Sequence, residues 1–162
     1  MLIAHKIAFD VTNMQATALS QAVGVARFAY NWALTEWKKH YKAWQADPSL
    51  SKPNQFVLRR QLNAIKREAF PWMLEVTKCA PQMAIIHLGE AFKNFFSGRA
   101  RYPQYRKKGV HDSFTLTNDQ FTIETVYAFV FLKLVGYVCV SVYVLKGKLC
   151  QQRSLVLLTA GL

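Results

Sequence analysis

The sequence predicts a mainly α fold with a minor β part: a helical bundle flanked by an N-terminal strand and a C-terminal β-hairpin. Three observations predict it. Apolar residues recur at helical spacing through three stretches between Asn13 and Gly98, and prolines mark the breaks between them. Short alternating stretches stand on either side of that region. The chain has 162 residues, 52% of them hydrophobic, which is enough for one ordinary core and outside the low-hydropathy range of disordered chains.

Residues Leu2 to Phe9 alternate roughly through Ile3, Ile7 and Phe9 and read as a first strand. Thr12, followed three residues later by Gln15, has the form of a capping box. Leu19, Val23, Ala26, Ala29, Ala33 and Trp37 then repeat at helical spacing, which predicts a long helix to about Ala46. Asp47 to Pro53 is turn-rich and ends it. A second helix fits Asn54 to Ala69, with Leu58, Leu62, Ile65 and Ala69 on one stripe and Arg59 and Lys66 on a basic face. Pro81 suits the first turn of a third helix carrying Ala84, Leu88, Ala91 and Phe95 inward, and Gly98 reads as its stop.

From Arg99 to Gly109 the sequence RARYPQYRKKG has neither period and reads as an ordered loop. Phe114 to Thr117 and Gln120 to Ile123 alternate around Asn118-Asp119, which predicts a hairpin. Beyond Glu124 the composition changes abruptly to Val, Leu, Tyr and Phe with few charges. The expected organisation is a first strand at 1–12, a helical bundle at 13–98, a basic loop and hairpin at 99–123, and a hydrophobic tail at 124–162.

Charge narrows the function. Twenty-one Lys and Arg stand against nine Asp and Glu, a formal charge of +12, which implies a polyanionic partner: nucleic acid or an acidic membrane surface. The densest signal lies between Phe92 and Phe114. There Lys93, Arg99, Arg101, Arg106, Lys107 and Lys108 are interleaved with Phe95, Phe96, Tyr102 and Tyr105, with no acidic residue before Asp112. Cations neutralise phosphates while rings and guanidinium planes accept unstacked bases, a mixture suited to single strands or structured RNA. On the first helix, Arg27 and Asn31 share a face beside Tyr30, with Lys38 and Lys39 further along. Phe28 and Trp32 fit the bundle interior, and Asn31 fits either a nucleic-acid contact or a bond to a neighbouring loop.

Catalytic and metal chemistry is not indicated. Cys79, Cys139 and Cys150 are far apart with no neighbouring ligand pattern, and His5, His40, His87 and His111-Asp112 have no partner at motif spacing. No phosphate-binding glycine loop or nucleophile elbow is present, and the eight acidic residues before Glu124 are scattered. The expectation is no enzyme activity, no cofactor and no metal. Lys6 and Asp10 interrupt the apolar N-terminus, so no secretory leader is expected and a cytoplasmic location fits.

Seven stretches in order carry a family resemblance: RFAYNWAL from Arg27, RQLNAIK from Arg60, FPWMLEV from Phe70, APQMAI ending at Ile85, FKNFF from Phe92, YPQYRKKG ending at Gly109, and SFTLTNDQFTI from Ser113 to Ile123. Together they resemble the N-terminal region of the TnpB (OrfB) transposases over residues 1–123. The resemblance implies a helix-turn-helix-like bundle inserted in a β-rich wedge domain, here incomplete. It also implies engagement of transposon-derived RNA and target DNA. Tyr102, Arg106, Lys107 and Lys108 then belong to the loop entering the wedge domain, and Arg27, Tyr30 and Asn31 to the first bundle helix.

In the family a nuclease domain with three carboxylates follows, whereas this sequence departs after Ile123. The expectation is a nucleic-acid-binding remnant with cleavage lost through a frameshift or rearrangement. Two alternatives stand beside it: a regulatory fragment competing with an intact transposase, and a basic protein anchored in a membrane by residues 126–145. Against the second, Lys133 near the middle of that segment costs about 2.5 to 3.5 kcal/mol on insertion scales.

Overall fold

A computed structural model of the chain describes residues 11–110, 112–124, 129–132, 138–140 and 154–158, with side chains described for 11–110, 112–117, 119 and 120. Three helices dominate: α1 (Asn13–Ala46), α2 (Gln55–Ala69) and α3 (Cys79–Phe96), with a short 3₁₀ turn at Pro71–Glu75. Each boundary follows from local chemistry. Thr12 accepts from the Gln15 N–H at 3.4 Å while its own N–H donates to Gln15 Oε1 at 2.9 Å, closing the capping box at the start of α1. Asn54 caps α2 by accepting from the Phe56 N–H at 2.8 Å. At the end of α3 the N–H groups of Gly98 and Arg99 reach back to Phe95 and Asn94 (2.9 Å each). Gly98 takes φ +72°, so the helix ends in the reversed turn that favours glycine.

The core lies mainly between α1 and α3. Ala22, Ala26, Ala29 and Ala33 line one face of α1 at helical spacing and are fully buried, so α3 can approach closely. Ile85, Leu88 and Phe92 fill the space from α3, and Phe92 stacks on Trp37 with ring centroids 4.3 Å apart. Leu58 and Leu62 carry α2 onto this core. The expected α2 stripe stops there: Ile65 and Ala69 are exposed, because only the first half of that face meets the bundle. On α3, Ala84 and Leu88 are buried as expected. Phe92 occupies the deep position, while Ala91 and Phe95 are half-buried, one position round the helix.

Strand β1 (Ser113–Thr117) packs Phe114 and Leu116 against the helices. Among the described residues four further short strands follow: β2 (Phe121–Glu124), β3 (Phe129–Leu132), β4 (Val138–Val140) and β5 (Ser154–Leu158). The two strands of the expected hairpin both form but do not pair with each other. β1 runs antiparallel to β5, and β2 antiparallel to β3, which pairs in turn with β4. The connection between them sets this pairing. Asn118-Asp119 has no glycine to take the positive φ of a tight hairpin turn, and residues Asn118–Gln120 form a 3₁₀ turn instead. That turn is tied down elsewhere: Thr77 Oγ1 donates to Gln120 Oε1 at 3.0 Å, and Lys78 pairs with Asp119 at 3.4 Å. The expected first strand, Leu2 to Phe9, and His111 lie outside the described residues, as does most of the hydrophobic tail. Among the described residues no helix is long and apolar enough to cross a membrane.

Candidate nucleic-acid interface

The basic loop, residues 99–110, is held onto the outer face of α1 by three polar attachments. Asn31 makes the first. Its Nδ2 donates to the Arg106 carbonyl at 2.9 Å and its Oδ1 accepts from the Arg106 N–H at 2.8 Å. The second is the largely covered ion pair of Arg27 with Asp112 at 3.0 Å. Asp112 also accepts from the Gly109 N–H at 2.9 Å through its other oxygen, so one carboxylate joins helix and loop. Gly109 sits at φ +77° to bring that N–H round. The third is Thr35 on α1, whose hydroxyl lies 3.1 Å from that of Tyr105.

Arg106 lies over the buried Tyr30 ring, with its guanidinium carbon 4.0 Å from the ring centroid. Burial pushes the Tyr30 phenol above its usual range, partly offset by the Arg106 charge, and the same burial lowers Arg106 from its ordinary value. His87 on α3 is held below the usual imidazole range, first by burial and then by the positive charge of Arg106. About two turns further along α1, Lys38 Nζ lies 4.4 Å from the Tyr105 ring centroid and 5.8 Å from that of Tyr102. A cleft of about 410 Å³ opens between Tyr30, Tyr105, Arg106, Lys107 and Val110.

Of the sequence-derived residues, the fold therefore gathers Arg27, Tyr30, Asn31, Lys38, Tyr102 and Arg106 into one connected network. Arg27 and Asn31 are engaged within the protein, and they position the loop. Arg99, Arg101, Lys107 and Lys108 are exposed on the loop, and Lys93 is exposed in the last turn of α3. Ion pairs among the described residues are Arg27 with Asp112, Lys39 with Glu36 and Lys78 with Asp119, and none uses those five cations. Lys39 is drawn to Glu36 at 2.7 Å. Arg59 and Lys66 make their contacts within α2, over the Phe56 ring and to Asn63, away from the loop network. Sequence reasoning passed over Thr35 and Asp112. The signal for Asp112 was present, since it is the first acid after a long cationic run.

A family model described as a helix-turn-helix domain, that of insertion-sequence OrfB proteins, matches residues 1–45. A Streptomyces pristinaespiralis protein provisionally named an RNA-guided DNA endonuclease is 32% identical over 128 residues, covering 74% of this chain and 31% of its own length. A Mycobacterium tuberculosis protein with the same provisional name is 32% identical over 122 residues, covering 65% of this chain and 26% of its own length. The virulence protein VsdF of Salmonella dublin is 34% identical over 116 residues, 67% of this chain and 95% of that protein. The matched region thus spans about a quarter to a third of the endonuclease-named relatives.

Proposed function

The chain belongs to the TnpB (OrfB) family, and from that premise we propose that it binds nucleic acid of insertion-sequence origin through its basic loop, without cutting it. One observation carries this reading. The loop backbone is clamped to α1 by Asn31 and by the Arg27–Asp112 pair, while Arg101, Lys107 and Lys108 stand exposed outside any ion pair of the described residues. A pre-positioned row of cations neutralises phosphates without first ordering a flexible segment, which would otherwise cost binding free energy. The provisional names of the relatives point to the same class of partner. The reading that the chain does not cleave rests on its acids. Phosphodiester cleavage by two metals needs converging carboxylates, whereas among the described residues no three Asp, Glu, His or Cys side chains come together to hold a metal ion, and Glu36, Asp112 and Asp119 are each engaged with a cation at separate places.

The test is binding of the full chain to labelled insertion-sequence end RNA, single-stranded DNA and duplex DNA across a salt series, beside a variant with Arg101, Lys107 and Lys108 all changed to alanine. The expected result is salt-steep binding that the triple variant weakens for every probe. Absence of binding at low salt overturns the reading. Magnesium-dependent cutting of any probe overturns its second half.

A further inference from the structure

The loop and the C-terminal half of α1 share a feature that phosphate binding alone does not use. Tyr105 is 47% exposed, Tyr102 37% and Phe96 60%, although rings of this size are normally covered. They belong to a connected series. Lys38 bridges Tyr105 and Tyr102, and Tyr102 meets Phe95 at 5.2 Å between centroids. Phe95 meets Phe96 at 5.2 Å, Phe96 meets Tyr41 at 6.3 Å, and Tyr41 meets Trp44 at 5.7 Å. Lys52 closes the far end, 4.8 Å from the Trp44 ring centroid. The two segments that carry the series, Lys38 to Trp44 and Lys93 to Lys108, hold nine Lys and Arg and no Asp or Glu.

The geometry points to a stacking track for unpaired nucleotides, running from Tyr105 across Tyr102 and Phe96 to Trp44. This rests on the nucleic-acid reading above and adds the form of the ligand. Ring faces attract a base only when the base is out of a duplex, where its own faces are covered by its neighbours. Cations between the rings meet the backbone phosphates at the same time. A duplex presents phosphates alone and gains nothing from the rings. An anionic membrane also attracts cations and aromatics. It favours an apolar face bordered by charge, however, whereas here Lys38 and Lys52 stand among the rings, 4.4 Å from the Tyr105 centroid and 4.8 Å from that of Trp44.

The discriminating experiment compares the full chain with Tyr102→Leu and Phe96→Leu, each of which keeps apolar bulk, removes the ring and leaves the Thr35–Tyr105 attachment of the loop in place. Both sites are exposed, and circular dichroism and melting check that each variant folds. Probes are labelled oligo(dT) and oligo(rU) longer than about 16 nucleotides and a duplex of equal length. Phosphatidylserine vesicles serve as the membrane arm. The expected result is preference for the single strands, lowered about fivefold or more by each variant with duplex binding unchanged. Equal binding of duplex and single strands, or unchanged single-strand affinity in both variants, overturns the track and leaves the nucleic-acid reading standing. Vesicle binding that the two variants abolish, with single-strand binding intact, overturns it in favour of a membrane. Loss of all nucleic-acid binding by the unaltered chain defeats the underlying reading and the track together.

Discussion

The side-chain amide of Asn31 brackets the backbone of Arg106, donating to its carbonyl at 2.9 Å and accepting from its N–H at 2.8 Å. An amide has one donor and one acceptor end, so it can satisfy both peptide groups of a single loop residue as a strand neighbour does. Asn31→Asp keeps the acceptor and sets a carboxylate oxygen against the Arg106 carbonyl. The expected cost is about 1–3 kcal/mol of stability. Amide exchange at Arg106 should quicken and nucleic-acid affinity should fall with it. An unchanged exchange rate would show that the loop is held by other contacts.

Gly109 and Asp112 close the loop's far end, and they make opposite demands on a substitution. Gly109→Ala places a side chain at φ +77°, a conformation costing an L-residue about 1–2 kcal/mol. Asp112→Asn keeps the shape of the side chain and removes the charge facing Arg27 at 3.0 Å. A double-mutant cycle on Arg27 and Asp112 should give a coupling above the 0–1 kcal/mol typical of exposed pairs, because both side chains are about four-fifths covered. A coupling inside that range, read from urea unfolding, counts against a bridging role for Asp112.

The bundle was readable because its signals are local. The Thr12–Gln15 capping box, Gly98 and the apolar stripe of α1 from Leu19 to Trp37 each depend on residues a few positions apart, and each marks an end or a face of a helix without reference to the rest of the fold. The site was half readable. Interleaved cations and rings mark the loop in the sequence, but which α1 residues hold it depends on contacts spanning 70 to 85 positions. Asn31 therefore left two readings open, and the geometry places its amide on the Arg106 backbone. The hairpin failed for the same reason in reverse. Alternation around Asn118-Asp119 marks two strands correctly, yet alternation carries no information about the partner of each, and the Thr77–Gln120 and Lys78–Asp119 contacts hold the turn to the start of α3.

His87 makes stability depend on pH in a defined direction. Its folded pKa is depressed below 6.5 by burial and by Arg106, so the unfolded chain binds the proton more readily. The stability contributed by neutral His87 is fully present above pH 6.5 and is lost as the pH falls from there toward the folded pKa. His87→Gln should flatten the urea midpoint across that interval. Identical midpoint profiles for the variant and the unaltered chain would assign the pH dependence to another group.

Arg106 and its neighbours Lys107 and Lys108 look equivalent in the sequence, yet the fold gives them different tasks. Arg106 is half-buried on the Tyr30 ring, 4.0 Å away, where planarity and dispersed charge favour guanidinium over ammonium. Arg106→Lys should therefore lower stability by about 0.5–2 kcal/mol. It keeps the charge, so the salt dependence of single-strand binding should change little. Changing Lys107 and Lys108 to alanine removes two exposed charges that support nothing beneath them. Stability should stay within about 0.5 kcal/mol of the unaltered chain. The slope of log affinity against log salt should become shallower by about 1.4, or about 0.7 for each single-strand phosphate that the protein no longer neutralises. The reverse pattern, with the lysines governing stability and Arg106 governing the salt slope, would mean that the guanidinium leaves Tyr30 to meet the phosphate backbone when nucleic acid binds.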